Sequence, residues 1–242
     1  MASRTTRTVF NSIRGASLSG RIVDQVIEAL FARKLDPGQF LGTEAQLCKM
    51  FQTSRVPIRE ALGRLEALGA VTIKSGAGGG VSIASGEPDQ FATALAVQFT
   101  LMRVAPGELF DARIAIECRG AELAAQNITD EEISQLRALL KEIVAGHIGR
   151  AATERILRFH SLIVEASRSR PLMTLMHGLE HVLLNLYNEM HPDQTVTPQH
   201  GYSSLTRILD ALVARDPQAS YTAMRSHLLF QREQVLARMG AG

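Results

Sequence analysis

The placement of glycine constrains this chain most. Lys74, Ser75, Gly76, Ala77, Gly78, Gly79 and Gly80 form a loop between two short β-like pieces, Val71-Thr72-Ile73 and Val81-Ser82-Ile83. Elsewhere the apolar residues follow helical spacing. A lone hairpin cannot bury a core, so it must lean on the helices before it. The first of these carries Ile22, Val26 and Leu30 beside Val23, Ile27 and Phe31, two rows that make one broad apolar face. Asp36-Pro37-Gly38 ends it with turn chemistry. Thr43-Glu44-Ala45-Gln46 reads as a capping box opening a short second helix that buries Leu47 and Phe51. After Gln52-Thr53, Ser54 is a suitable N-cap and Pro57 fits the first turn of a third helix. That helix buries Ile58, Leu62 and Leu65 and stops at Gly69. Three helices and a glycine-tipped hairpin, over residues 18–85, is the element order of a winged helix-turn-helix.

Ser85-Gly86-Glu87-Pro88 reads as a linker, opening a second domain over 86–242. Helical patterns run at about 89–104, 107–126, 130–146, 150–168, 171–190, 198–215 and 217–239. Breaks fall at Pro106-Gly107, at Thr129 with Glu132 completing a second capping box, at Gly146 to Gly149, and before Pro171, Pro192 and Pro217. The expected fold is therefore mostly α: a winged helix-turn-helix with a small β-hairpin wing, then an all-α bundle of six or seven helices. An aromatic content of 5% without Trp suits helix packing. Residues 1–17, with three Arg, are expected to be a flexible basic arm. They have no apolar core of the kind an export signal needs, so a cytoplasmic location is expected. No apolar run reaches the roughly 18 residues of a membrane span. Cys48 and Cys118 fall in different domains and read as reduced thiols.

Charge divides along the same line. Residues 1–86 carry 11 Lys and Arg against 6 Asp and Glu, while the remainder carries 15 against 18. A basic first part suits nucleic acid. Arg55 and Arg59 share one face near the start of the third helix, away from its apolar face, as in a recognition helix. The planar fork of Arg can grip guanine O6 and N7. Thr53, Ser54 and the free N–H groups of the helix can hold phosphate. Lys74 would add charge at the wing. A solvated helix face with a Glu60–Arg64 pair beside it is the plain alternative for the two arginines. The glycine loop is not a nucleotide loop: no Gly-Lys-Ser/Thr follows, and Val81 stands where G-x-G-x-x-G needs its third glycine. An enzyme finds no support in Ser-His-Asp or H-E-x-x-H patterns. A winged helix used only for protein contacts is a further alternative, against which the two arginines argue.

Residues 18–83 resemble the GntR family of bacterial regulators. The resemblance rests on Leu35-Asp36-Pro37-Gly38, on Thr43-Glu44, and above all on Ser54-Arg55-Val56-Pro57-Ile58-Arg59-Glu60-Ala61-Leu62-Gly63-Arg64-Leu65-Glu66-Ala67-Leu68-Gly69. It implies that Arg55 and Arg59 touch operator bases and that Ser54, Ser75 and Gly76 touch backbone or groove. Ala45 stands where many members carry an Arg. The implied partner is a pseudo-palindromic double-stranded operator bound by a homodimer.

Residues 89–232 resemble the FadR-type effector domain of this family, called FCD. The match includes Leu109-Phe110-Asp111-Ala112-Arg113-Ile114-Ala115-Ile116-Glu117, Phe159-His160, Ile208-Leu209-Asp210-Ala211-Leu212 and Met224-Arg225-Ser226-His227-Leu228. It implies a small-molecule effector, with Arg113, His160 and His227 at the pocket. Arg113 could hold a ligand carboxylate, or only pair with Asp111 or Glu117. Many such domains hold a divalent metal with one Asp and three His. His160 and His227 match two of those positions, while Ile156 and Leu205 occupy the others. Two imidazoles make a poor site, so no metal or other cofactor is expected, with His177, His181 and His200 as possible substitutes. The overall expectation is a transcription regulator, more often a repressor.

Overall fold

Local capping sets most of the element boundaries. A computed structural model describes residues 17–76, 78–86, 88–145, 150–190 and 198–239. The basic arm, apart from Ser17, lies outside the described residues. Ser17 accepts from Gly20 N–H at 3.0 Å and starts α1, Leu18–Phe31. Ile22, Val23 and Val26 are buried; Phe31, expected on the same apolar face, is exposed. It is the last residue of α1, after which the chain turns away through Arg33 at φ 52. β1, Phe40–Gly42, leads into α2, Glu44–Met50. The capping box of α2 forms as expected: Thr43 N–H donates to Gln46 Oε1 at 2.7 Å and Gln46 N–H to Thr43 Oγ1 at 3.3 Å. Leu47 is buried and Phe51 only half-buried. Gln52, at φ 50, turns the chain into α3, Arg55–Ala67. α3 buries Ile58, Ala61, Leu62 and Leu65, and Gly69 follows its end in the left-handed region at φ 69.

The wing consists of β2, Val71–Lys74, and β3, Gly80–Ile83, paired antiparallel with Val71 opposite Ile83. The sheet has a third strand that the periodicity did not reveal. β1 pairs with the other edge of β3, Phe40 opposite Ser82, giving the order β1-β3-β2. Gly79 is required at the tip, because a Cβ there would collide with the Lys74 carbonyl. Val71, Val81 and Ile83 close the core of this unit beneath α1 and α3.

The chain divides into two compact units after Glu87. The second unit comprises α4 (Pro88–Met102), α5 (Pro106–Asn127), α6 (Asp130–Ala145), α7 (Arg150–Ala166), α8 (Arg170–Met190), α9 (Pro198–Val213) and α10 (Pro217–Met239). The Thr129–Glu132 capping box starts α6, with Thr129 N–H donating to Glu132 Oε2 at 2.9 Å and Glu132 N–H to Thr129 Oγ1 at 3.2 Å. α5 is the central element, packed against α7, α8, α9 and α10. Such packing demands small residues, and α5 supplies Cys118, Gly120, Ala121, Ala124 and Ala125, all buried. The Cys118 thiol lies in this core, and burial pushes its pKa up to about 12.

Gly120 sets the α5–α7 spacing, since a Cβ there would lie 2.9 Å from Val164 Cγ2. Val164 is fully buried and β-branched, so it cannot swing aside. Gly120→Ala is therefore expected to lose about 1–3 kcal/mol to overpacking, more than the helix-propensity gain of at most about 1 kcal/mol. A lowered melting temperature in thermal denaturation checks this; an unchanged or raised one contradicts it.

Candidate functional site

In the first unit, the exposed face of α3 carries the two arginines. Arg55 and Arg59 side chains are 72% and 67% accessible. They share a partner that the sequence reading did not assign. Glu44, the first residue of α2, accepts from Arg59 Nε at 2.8 Å, and its other oxygen lies 3.7 Å from Arg55 Nε. The hydrogen bond and charge of Glu44 raise the Arg59 pKa further above its ordinary value. The proximity follows from the tight Gln52 turn, which brings the start of α2 beside the start of α3. Thr43-Glu44 stood in the sequence as a motif, but nothing local could pair it with residues 11 and 15 positions onward.

Ser54 holds the N-cap position of α3 with extended backbone (φ −78, ψ 173), yet its side chain makes no capping hydrogen bond. The expected cap interaction is therefore absent. Thr53 and Ser54 lie in the turn before α3, while Lys74, Ser75 and Gly76 stand at the wing, where Gly76 adopts φ 94.

In the second unit, Arg113, His160 and His227 come together with Glu117 and are essentially fully buried. Arg113 Nε donates to Glu117 Oε1 at 2.6 Å and Nη2 to Oε2 at 3.4 Å. Arg113 Nη1 donates to Tyr187 Oη on α8 at 3.2 Å and to Gln231 Oε1 on α10 at 3.1 Å. The guanidinium also lies 5.2 Å from the Phe110 ring centre. Asp111, the other partner considered for Arg113, pairs with Arg232 at 3.1 Å.

His160 Nδ1 is 2.6 Å from Glu117 Oε2, within ion-pair distance but without hydrogen-bond alignment. The His160 and His227 rings stack with centres 5.0 Å apart. His227 Nδ1 meets Ser204 Oγ at 2.7 Å. The Nε2 atoms of both rings are buried without a hydrogen-bond partner. Burial, then the neighbouring His160 and Arg113, push the His227 pKa well below the ordinary range, which favours the neutral imidazole. For Glu117, burial alone would raise the pKa. The charges of Arg113 and His160, with the Arg113 hydrogen bonds, outweigh it and hold the carboxyl at about 2.

The metal implied by the resemblance does not fit this arrangement. Leu205 is fully buried in the aliphatic core and Ile156 packs against it. Neither side chain has a donor atom. His181 is exposed, with Nδ1 3.4 Å from the His177 carbonyl, and the side chain of His200 lies outside those described. Among the described residues, no group of three or more His, Cys, Asp or Glu could hold a metal ion.

A short helix, a sharp turn, a helix with exposed arginines and a glycine-tipped wing define a winged helix-turn-helix protein of the DNA-binding class. Residues 18–81 match the bacterial regulatory proteins of the gntR family, and residues 108–230 match the FCD domain. The chain belongs to the GntR family, as an FCD-containing DNA-binding transcription regulator, and is not an enzyme. It is similar to the putative L-lactate dehydrogenase operon regulatory protein of Escherichia coli (strain K12), 30% identical over 88% of this chain and 84% of the relative. The HTH-type transcriptional regulator LutR of Bacillus subtilis (strain 168) is 28% identical over 81% of this chain and 90% of its own. The solved structure of Streptococcus agalactiae GntR shares the fold, with a TM-score of 0.64 at 22% identity, covering 89% of this chain and 99% of that one. No described helix is long and apolar enough to cross a membrane.

The Glu117 geometry carries a pH dependence. Its carboxyl is lowered from 4.5 to about 2 on folding, so its contribution to stability is complete above pH 4.5 and lost as pH falls through about 2. Denaturant unfolding across that window is expected to show this loss. The acid slope should diminish when the pair is replaced by apolar residues, as in Arg113→Met with Glu117→Met. An undiminished acid slope in that variant would exclude Glu117 as its source.

Proposed function

We propose that this chain is a homodimeric, effector-responsive repressor that binds a short pseudo-palindromic operator. The observation that carries this reading is the exposed arginine pair on α3, one helical turn apart and held by a common carboxylate. In this reading Arg55 and Arg59 read bases in the major groove. Thr53, Ser54 and the uncapped start of α3 grip phosphate, and Lys74, Ser75 and Gly76 bring the wing to the backbone. Dimerisation is supported by apolar residues exposed along α4: Phe91, Val97, Leu101 and Met102. Repression is the role that the family resemblance favours.

The effector is an organic acid or another small metabolite, bound in the second unit at Arg113, His160 and His227. The name of the Escherichia coli relative, which refers to an L-lactate dehydrogenase operon, supports an acid. Arg113 is already engaged, so an acid must exchange for one of its neutral partners, Tyr187 on α8 or Gln231 on α10. That exchange would loosen one helix and shift the population between operator-binding and released states. The cytoplasm is the location that suits such a regulator.

Two experiments test this reading. A duplex selected by the wild-type chain from a random-sequence library serves as the operator probe. Arg55→Ala and Arg59→Ala should each cost about 1–3 kcal/mol of binding to it, measured by fluorescence anisotropy. Wild-type affinity in either variant would remove that arginine from base reading.

Metal content is the second test. Untagged protein should carry well under one equivalent of zinc, nickel or manganese, and Ile156→Asp with Leu205→His should create tight binding. A stoichiometric metal on the wild-type chain would overturn the reading of a metal-free site.

A further inference from the structure

We propose that Glu44 is a positioning residue that sets sequence discrimination in the winged unit. Its carboxylate holds the Arg59 Nε and draws in that of Arg55, so that the Nη edges of both guanidinium groups are offered to base pairs. The inference rests on the reading of α3 as the base-reading helix.

The geometry assigns each part of this role. Arg59 contacts Glu44 through Nε at 2.8 Å, and Arg55 lies nearest through the same atom at 3.7 Å. An arginine reads guanine through two parallel N–H donors. With Nε directed at Glu44, the pair left for the base is Nη1 and Nη2. Long side chains lose rotamer freedom on binding, and a shared carboxylate restricts both arginines before DNA arrives. Glu44 has no competing cation on its own helix, because Lys49, the only basic residue of α2, lies in its last turn. The carboxylate is also not needed to start the helix, since Thr43 and Gln46 form the capping box.

The same charge acts in the opposite direction on DNA that offers only phosphate. Non-specific binding is the neutralisation of phosphates by cations. A carboxylate between the two arginines reduces the positive charge available for it and repels the backbone. Glu44 therefore favours a duplex whose bases satisfy the two forks over one that presents phosphate alone.

The test uses the full chain, a duplex selected by the wild-type chain from a random-sequence library, and a scrambled duplex of the same composition. Glu44→Gln preserves size and removes the charge; circular dichroism confirms that the variant is folded. Its affinity for the selected duplex should fall by roughly tenfold, while the scrambled duplex binds as tightly as before or tighter. In an Arg59→Ala background the effect of Glu44→Gln should shrink, because its main partner is gone. An unchanged ratio of selected to scrambled binding overturns the proposal. So does an equal loss on both duplexes, or a loss undiminished in the Arg59→Ala background, since each would mean that Glu44 acts only on the shape of α2. If Arg59→Ala and Arg55→Ala both bind the selected duplex like wild type, the reading of α3 itself fails, an outcome distinct from these.

Discussion

The buried ion pair between Arg113 and Glu117 is the interaction around which the second unit is built. Both side chains are removed from water, and neither charge can be left unpaired there. Breaking such a pair by removing one partner typically costs about 3–5 kcal/mol. Four residues on a helix bring the two groups to the same face, and that face of α5 is turned into the bundle. The remaining donors must also be satisfied, and Arg113 Nη1 recruits Tyr187 from α8 and Gln231 from α10. Glu117, in turn, draws His160 of α7 to 2.6 Å. One charged pair thereby couples four helices. The small residues further along α5 let α7 approach closely enough for the coupling to work.

That arrangement also shows how the unit is organised with aliphatic side chains at two of the metal positions that the resemblance implies. In a bundle of this kind a divalent ion would tie helices together through side-chain donors. Here the tie is an internal cation, Arg113, with its own carboxylate. Ile156 and Leu205 then serve as ordinary core packing. His227 keeps Ser204 as a partner for Nδ1 and stacks on His160. The Nε2 atoms of both rings and His160 Nδ1 are among the buried polar atoms that this packing leaves without a hydrogen-bond partner.

Much of this organisation was legible in the chain. The three N-terminal helices, both capping boxes and the seven C-terminal helices follow from periodicity and from residues adjacent in sequence. What escaped the reading was long-range. β1 has only three residues and its partner strand lies some 40 positions onward, so no local pattern could distinguish it from a loop. Phe31 fits the periodicity of α1, but periodicity does not say where the facing core ends. Ser54 has the residue type of a cap and the backbone of a cap without its hydrogen bond. For Arg113, Glu117 could be read at four residues, whereas Tyr187 and Gln231, 74 and 118 residues away, required the assembled bundle.

The two units use one chemical pairing under opposite solvent conditions, and the contrast follows from dielectric alone. In each, a glutamate accepts from an arginine Nε at close range, 2.8 Å for Glu44 with Arg59 and 2.6 Å for Glu117 with Arg113. At the exposed site, water screens the attraction and the pair adds little to stability. Its guanidinium groups remain accessible, so a new partner of suitable shape can engage them at low cost. At the buried site there is no water to take over, and the structure must occupy the guanidinium with protein groups. Any newcomer there must compete with an existing hydrogen bond. An exposed arginine held by a carboxylate is thus suited to recognition by addition, and a buried one to recognition by exchange. Exchange is the process that can move a helix, as the regulatory role proposed for the second unit requires and the base-reading role proposed for α3 does not.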